Sequence, residues 1–147
     1  MLLDRAETAG LKNGIAEIGD PLFHGETSLY IEEIINNKST HKVFAAFRDE
    51  KIAGFLILST VLDEAEILEV AVSENLRRNG IASELMTGIF EWCKENGIGQ
   101  IFLEVRESNF PARAYYRKFG FAEDGVRKNY YRNPSENAVL MSRKFPA

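Results

Sequence analysis

The sequence predicts an α+β domain (mixed α/β) built on a mixed sheet. Three observations predict it: helical periods fill the first 40 residues, an apolar β-rich stretch follows, and the C-terminal half alternates strand and helix before closing on two strands. The 147 residues read as one domain, 1–147. A chain this long buries roughly 68 to 70% of its unfolded surface and needs no disulfide or metal staple.

Leu2 to Ala6 reads as a first short strand. Leu11, Ile15 and Ile18 then recur at helical spacing until Asp20-Pro21 stops the pattern. A second helix runs from Glu26 to about Asn37, with Leu29, Tyr30, Ile34 and Ile31 turned inward. The period then shortens. Val43 to Phe47 and Ile52 to Leu62 are strands joined by the turn Arg48-Asp49-Glu50-Lys51, and Ile67 to Val72 is a further strand.

Ile81, Leu85, Ile89, Trp92 and Cys93 share one face of a helix from about Asn79 to Glu95, which Asn96-Gly97 ends. Ile101 to Val105 is the next strand. Asn109 is placed to cap a short helix from Pro111 to Phe119, with Pro111 in its tolerant first turn and Gly120 past its end. Two closing strands, about Phe121 to Tyr130 and Ala138 to Lys144, flank Asn133-Pro134-Ser135. No repeat, linker or low-complexity tract interrupts the chain.

Composition narrows the function classes. The 18 basic and 22 acidic residues give a net charge of −4, which argues against a nucleic-acid partner and suits a positively charged substrate. One cysteine, Cys93, forms no internal bridge, and its apolar neighbours Ile89 and Trp92 mark it as a packing residue. With no signal-like or 18-residue apolar run, the reading is a cytoplasmic protein without a membrane partner. His24 and His41 lack spaced Cys or Asp partners, so no metal is assigned.

The stretch Arg77-Arg78-Asn79-Gly80-Ile81-Ala82 lies between a strand and an amphipathic helix. Unpaired amides and the helix dipole favour an anion there, and Gly80 permits close approach. Neither GxxxxGK[ST] nor GxGxxG is present. Taken alone, Gly80 also reads as an ordinary helix-entry glycine and Arg77-Arg78 as a solvated pair.

The pattern Arg77-x-x-Gly80-x-Ala82 resembles the [Q/R]xxGx[G/A] hallmark of the GNAT superfamily of N-acetyltransferases. Asn109 to Phe121 resembles the same superfamily's N-x(3)-A-x(2)-[LY]-Y-x(3)-G-F signature. Leu62-Asp63-Glu64-Ala65, Leu103-Glu104-Val105-Arg106-Glu107-Ser108-Asn109 and Asn129-Tyr130-Tyr131 narrow the likeness to the RimI-type ribosomal-protein-alanine N-acetyltransferases, over about Val43 to Met141.

That resemblance implies the GNAT fold: a mostly antiparallel mixed sheet of six to seven strands, flanked by about four helices. Its strands 4 and 5, here Ile67 to Val72 and Ile101 to Val105, would splay apart. It implies acetyl-coenzyme A as co-substrate, direct transfer in a ternary complex, and a protein N-terminal amine as acceptor, with ribosomal protein S18 as the specific target. A monomer or weak dimer is expected.

Acetyl transfer to an amine needs a base, an oxyanion donor and a proton for the thiolate. Glu104 stands in an otherwise apolar strand, so it is either a misplaced edge residue or a base; the resemblance implies the base. The resemblance also makes Tyr116 the general acid and lets Tyr115 pack. The amides of Arg77 to Ala82 would hold the pyrophosphate, main-chain groups of Val70, Ala71 and Val72 the pantetheine arm and thioester carbonyl, and Asn109 that arm as well as its helix. Asn137 departs from the Glu-Asp-Ala common in relatives. Glu69 reads either as a solvated charge or, with Glu104 and Glu107, as a group that attracts a basic peptide or amine. Two other readings stay open: acetylation of a small amine or lysine side chain, and a non-catalytic acetyl-coenzyme A binding module.

Overall fold

A computed structural model describes residues 1–146. Helix α1 spans Arg5–Phe23 and α2 Glu26–Ile35. Strands β1 (Lys42–Arg48), β2 (Lys51–Val61) and β3 (Glu64–Val72) follow, then α3 (Ile81–Glu95), β4 (Gln100–Arg106), α4 (Phe110–Lys118), β5 (Ala122–Tyr131) and β6 (Glu136–Lys144). The six strands form one sheet in the order β1-β2-β3-β4-β6-β5. Only β3 and β4 run parallel; the other pairs are antiparallel.

Three early expectations are corrected. Leu2 to Ala6 is not a strand, because Asp4 and Glu7 form a reciprocal capping box that starts α1 at Arg5. Only Leu2 bridges to Phe44, beside the bond from Leu3 N to Val43 O. Nor does Pro21 stop α1. It removes one backbone donor near the helix end, and the helix continues to Phe23 before His24 turns left-handed at φ 53°. In α2, Ile31 is buried and Tyr30 and Ile34 pack against the same cluster as expected, joined by Thr27, while Leu29, expected inward, points out.

The strands alternate between two apolar clusters. Val43, Ala45, Phe55 and Ile57 pack under α1 and α2 with Ile15 and Ile31. Phe44, Ala46, Leu56 and Leu58 pack on the opposite face with Ile81, Leu85, Met86 and Ile89 of α3 and Tyr116 of α4. Asp49 and Glu50, both at positive φ, make the two-residue β1–β2 turn.

Strand β3 changes faces midway. Leu58 pairs with Ile67 but Ile57 with Glu69, so Leu68 is the extra residue of a bulge. Ala65 and Ile67 face α3; past the bulge Val70 and Val72 do so, and Ala71 joins the opposite cluster. Parallel pairing with β4 stops at Ile67–Leu103, which leaves Leu68 to Val72 without a partner on that side. The splay between the two strands follows from this.

Candidate active site

The turn that carries Gly80 begins where β3 ends. A single 3-10 turn, Glu74–Leu76, leads into Arg77 in extended conformation, then Arg78 and Gly80 at φ 68° and 74°. Asn79 ties the turn internally, donating from Nδ2 to the carbonyls of Leu76 and Arg77 at 3.1 and 3.2 Å. Its role is therefore to shape the turn. Gly80 is the N-cap of α3, and no side chain caps the helix.

The free first-turn amides open onto a cleft of about 230 Å³ lined by Val72, Leu76, Arg77, Arg78, Gly80, Ile81, Ala82, Ser83 and Tyr115. A Cβ at Gly80 would meet no protein atom within 4 Å. The glycine is needed for its φ and for open space above it. Glu84, which could compete for the amides, is drawn aside by Arg48 at 2.9 Å.

Tyr115, expected only to pack, lines this cleft. Its hydroxyl is buried beside Ser83, and burial raises the phenol while Ser83 opposes the rise. Tyr116 lies deeper, 9% exposed and edge-on to Phe121 with centroids 5.8 Å apart. Burial, with Tyr115 and Tyr131 adding to it, pushes its phenol up to about 12. Asn109 caps α4, accepting from Ala112 N at 3.2 Å.

Glu104 sits on an inner strand, opposite Leu140 of β6, so it is no edge residue. Its face of β4 opens instead onto a second cleft, shared with Glu66, Phe102 and Arg127. Arg127 Nη1 lies 3.4 Å from Glu104 Oε1. Burial and then Glu104 raise the Glu66 carboxyl. Tyr131 is pushed up to about 12 by burial first and Glu104 second, and it neighbours Tyr116 as well. Tyr131 thus links the carboxylate on β4 to the phenol on α4.

Glu69 is not the solvated charge expected. It is 3% exposed, accepts a 2.6 Å bond from Thr27 Oγ1, and leaves Oε2 buried without a partner. The bulge at Leu68 is the reason, because it turns Glu69 from the α3 face toward α2. Burial lifts its carboxyl to about 7 against the bond from Thr27, with Glu26 and Asp20 adding to the rise. Gly19 allows this crossing of α1 over Thr27: a Cβ there would meet Thr27 Oγ1 at 2.2 Å.

Asn137 keeps its loop ordered by accepting from Asn129 N at 2.9 Å. Neighbouring Glu136 accepts from Ser108 N at 2.6 Å and pairs with Arg106. Those Ser108 contacts lead the causes that lower its carboxyl. Cys93 is buried, its thiol pushed up to about 11. Among the described residues no His, Cys, Asp and Glu group could hold a metal ion, and no helix is long and apolar enough to cross a membrane.

A mixed sheet of the α+β class, with one parallel strand pair that opens beside the uncapped start of α3, is the frame of the site. Residues 10–121 match the acetyltransferase (GNAT) family, and the chain belongs to it. It is an N-acetyltransferase. A ribosomal protein bS18-alanine N-acetyltransferase of Haemophilus influenzae is 43% identical over 97 residues, 64% of this chain and 66% of that protein. The crystal structure of the Escherichia coli ribosomal-protein-S18-alanine N-acetyltransferase superposes with a TM-score of 0.81 at 26% identity, covering 100% of this chain and 93% of that one. A Bacillus anthracis acetyltransferase solved with acetyl coenzyme A has a TM-score of 0.67 at 26% identity, covering 74% of this chain and 65% of that one. Membership in a family of transferases removes the non-catalytic reading.

Proposed function

We propose that the protein transfers acetyl from acetyl coenzyme A directly to a protein N-terminal α-amine, with the N-terminal alanine of ribosomal protein bS18 as its target. The observation that carries this reading is the unpaired edge of β3 from Leu68 to Val72. It lies between the anion-binding turn and the carboxylate of Glu104. The relatives named for bS18-alanine acetylation support the acceptor. We place the reaction in the cytoplasm and in a monomer or weak dimer.

The residues present fit the coenzyme. The amides of Arg77 to Ala82 meet its pyrophosphate, and the open space above Gly80 admits it. Main-chain groups of Val70, Ala71 and Val72 pair with its extended arm as an added strand would. Bound here, acetyl coenzyme A supplies the acetyl group as a thioester. Glu104 accepts the proton of the acceptor amine. An α-amine of pKa about 7.7 to 8.0 asks less of a carboxylate than a lysine near 10.4. Burial keeps the Tyr116 phenol protonated to about pH 12, so it holds a proton for the departing sulfur at any working pH. Asn109 holds the start of α4, and with it Tyr116, in register with the cleft.

A second reading, acetylation of a small amine or lysine side chain, draws on the carboxylates of Glu66 and Glu104 in one cleft. Intact-mass measurement after incubation with acetyl coenzyme A separates the two. The acceptors are alanine-started peptides, an internal-lysine peptide and polyamines. Acetylation of the alanine-started peptides alone is expected. Reaction of the small amines alone would overturn the proposal.

A further inference from the structure

The cleft beside Glu104, about 220 Å³ in volume, receives carboxylates from adjoining strands, Glu66 from β3 and Glu104 from β4. Among the described residues that line the cleft, Arg127 is the cation facing them. Arg127 reaches in from β5, the outermost strand, to 3.4 Å from Glu104 Oε1, with its guanidinium 5.0 Å from the Tyr130 ring centroid. It also opposes the upward shift that burial and Glu104 impose on Glu66.

The neighbouring basic residue cannot take this place. Arg106 is already bound to Glu136 and to the carbonyls of Arg132 and Pro134, with its guanidinium 4.5 Å from the Tyr131 centroid. The remaining titratable groups around the cleft are the phenols of Tyr130 and Tyr131 on β5 and Tyr30 on α2. Arg127 is more exposed than Glu104, its side chain 54% accessible against 20%, and the two are paired at 3.4 Å.

We propose that Arg127 is a positioning residue of the acceptor cleft, its guanidinium resting where the acceptor ammonium binds beside Glu104 and setting the charge against which that amine loses its proton. The inference rests on Glu104 as the base. With Arg127 in place, two carboxylates and one guanidinium leave a single negative charge, which one ammonium neutralises. With Arg127 gone, both carboxylates would hold the ammonium more tightly and also hold its proton on, because nearby opposite charge favours the charged form. Binding would improve while the free amine became scarcer at a given pH.

The test compares pH profiles of kcat and KM for wild type, Arg127→Gln, Arg127→Lys and Glu104→Gln, using acetyl coenzyme A and an alanine-started peptide. Arg127→Gln is expected to lower the peptide KM about threefold and move the acid limb of kcat upward by about one pH unit, the low end for loss of an adjacent opposite charge. Arg127→Lys, which keeps the charge, should hold the limb near its wild-type position. An unmoved limb in Arg127→Gln, or an equal shift in both variants, overturns the inference. Persistent turnover in Glu104→Gln would instead overturn the base assignment and this inference with it. Loss of turnover there with an unmoved limb in Arg127→Gln sinks the inference alone.

Discussion

The two halves of the site are made of different material. On the proposed coenzyme side the groups offered are backbone: first-turn amides of α3, an unpaired strand edge and two left-handed residues, Arg78 and Gly80. On the proposed acceptor side they are charged side chains, Glu66, Glu104 and Arg127, brought from three strands into one cleft. A backbone site tolerates most side-chain exchange but fails when φ is forced. A charge site keeps its fold under substitution and loses chemistry, so the halves should break differently.

The largest effect is expected at Glu104. Glu104→Gln preserves shape and should lower kcat by about 10³-fold, within the usual range for a general base, with the thermal midpoint little changed. A loss below threefold would show that the charged half is not the reaction centre.

Glu69, behind the unpaired strand edge, should affect stability more than chemistry. Folding lifts its carboxyl from 4.5 to about 7, so between those pH values the folded protein holds a proton that the unfolded chain has released. Stability therefore falls as pH rises through that window and is lowest above it. Glu69→Gln should stabilise by about 3 kcal/mol at pH 8, at 1.36 kcal/mol per unit, and by little below pH 4.5. Denaturant midpoints at the two pH values check this. An equal effect at both would mean the buried charge is not the cause.

The adjacent tyrosines test where the halves meet. Tyr116→Phe should reduce kcat about 30-fold, in keeping with loss of one positioned acid. Tyr115→Phe, at the wall of the turn, should chiefly raise the coenzyme KM. Reversed outcomes would make Tyr115 the proton donor. The smallest effect is expected at the turn: Gly80→Val, strained at φ 74°, should weaken coenzyme binding about tenfold and cost about 1 to 2 kcal/mol. Calorimetric titration with coenzyme A measures it, and unaltered affinity would remove Gly80 from the cradle.

Much of the coenzyme half was legible in the sequence. Arg77-x-x-Gly80-x-Ala82, the Asn109 cap and the stripe of α3 are local patterns, and the structure puts the first at the start of α3, the second at the cap of α4 and the third on the buried face of α3. The capping box of Asp4 and Glu7 was equally local and was passed over in favour of a strand. Tyr115 and Tyr116 were told apart only by resemblance. Which one faces the cleft depends on how α4 rotates against Phe121 and Ser83.

What the sequence determined by itself, then, is the order of elements from α2 onward, the glycine-led start of α3 and the candidacy of Glu104. Those signals are written in helical and strand periods and in backbone preferences at single positions. Tertiary structure alone decided that Leu68 bulges, that Glu69 turns to meet Thr27 across 42 residues, and that Arg127 comes to rest against Glu104. One extra residue in a strand reverses every later side chain. Whether that residue bulges is settled by packing against the partner strand and the helices on both faces, which no local pattern encodes.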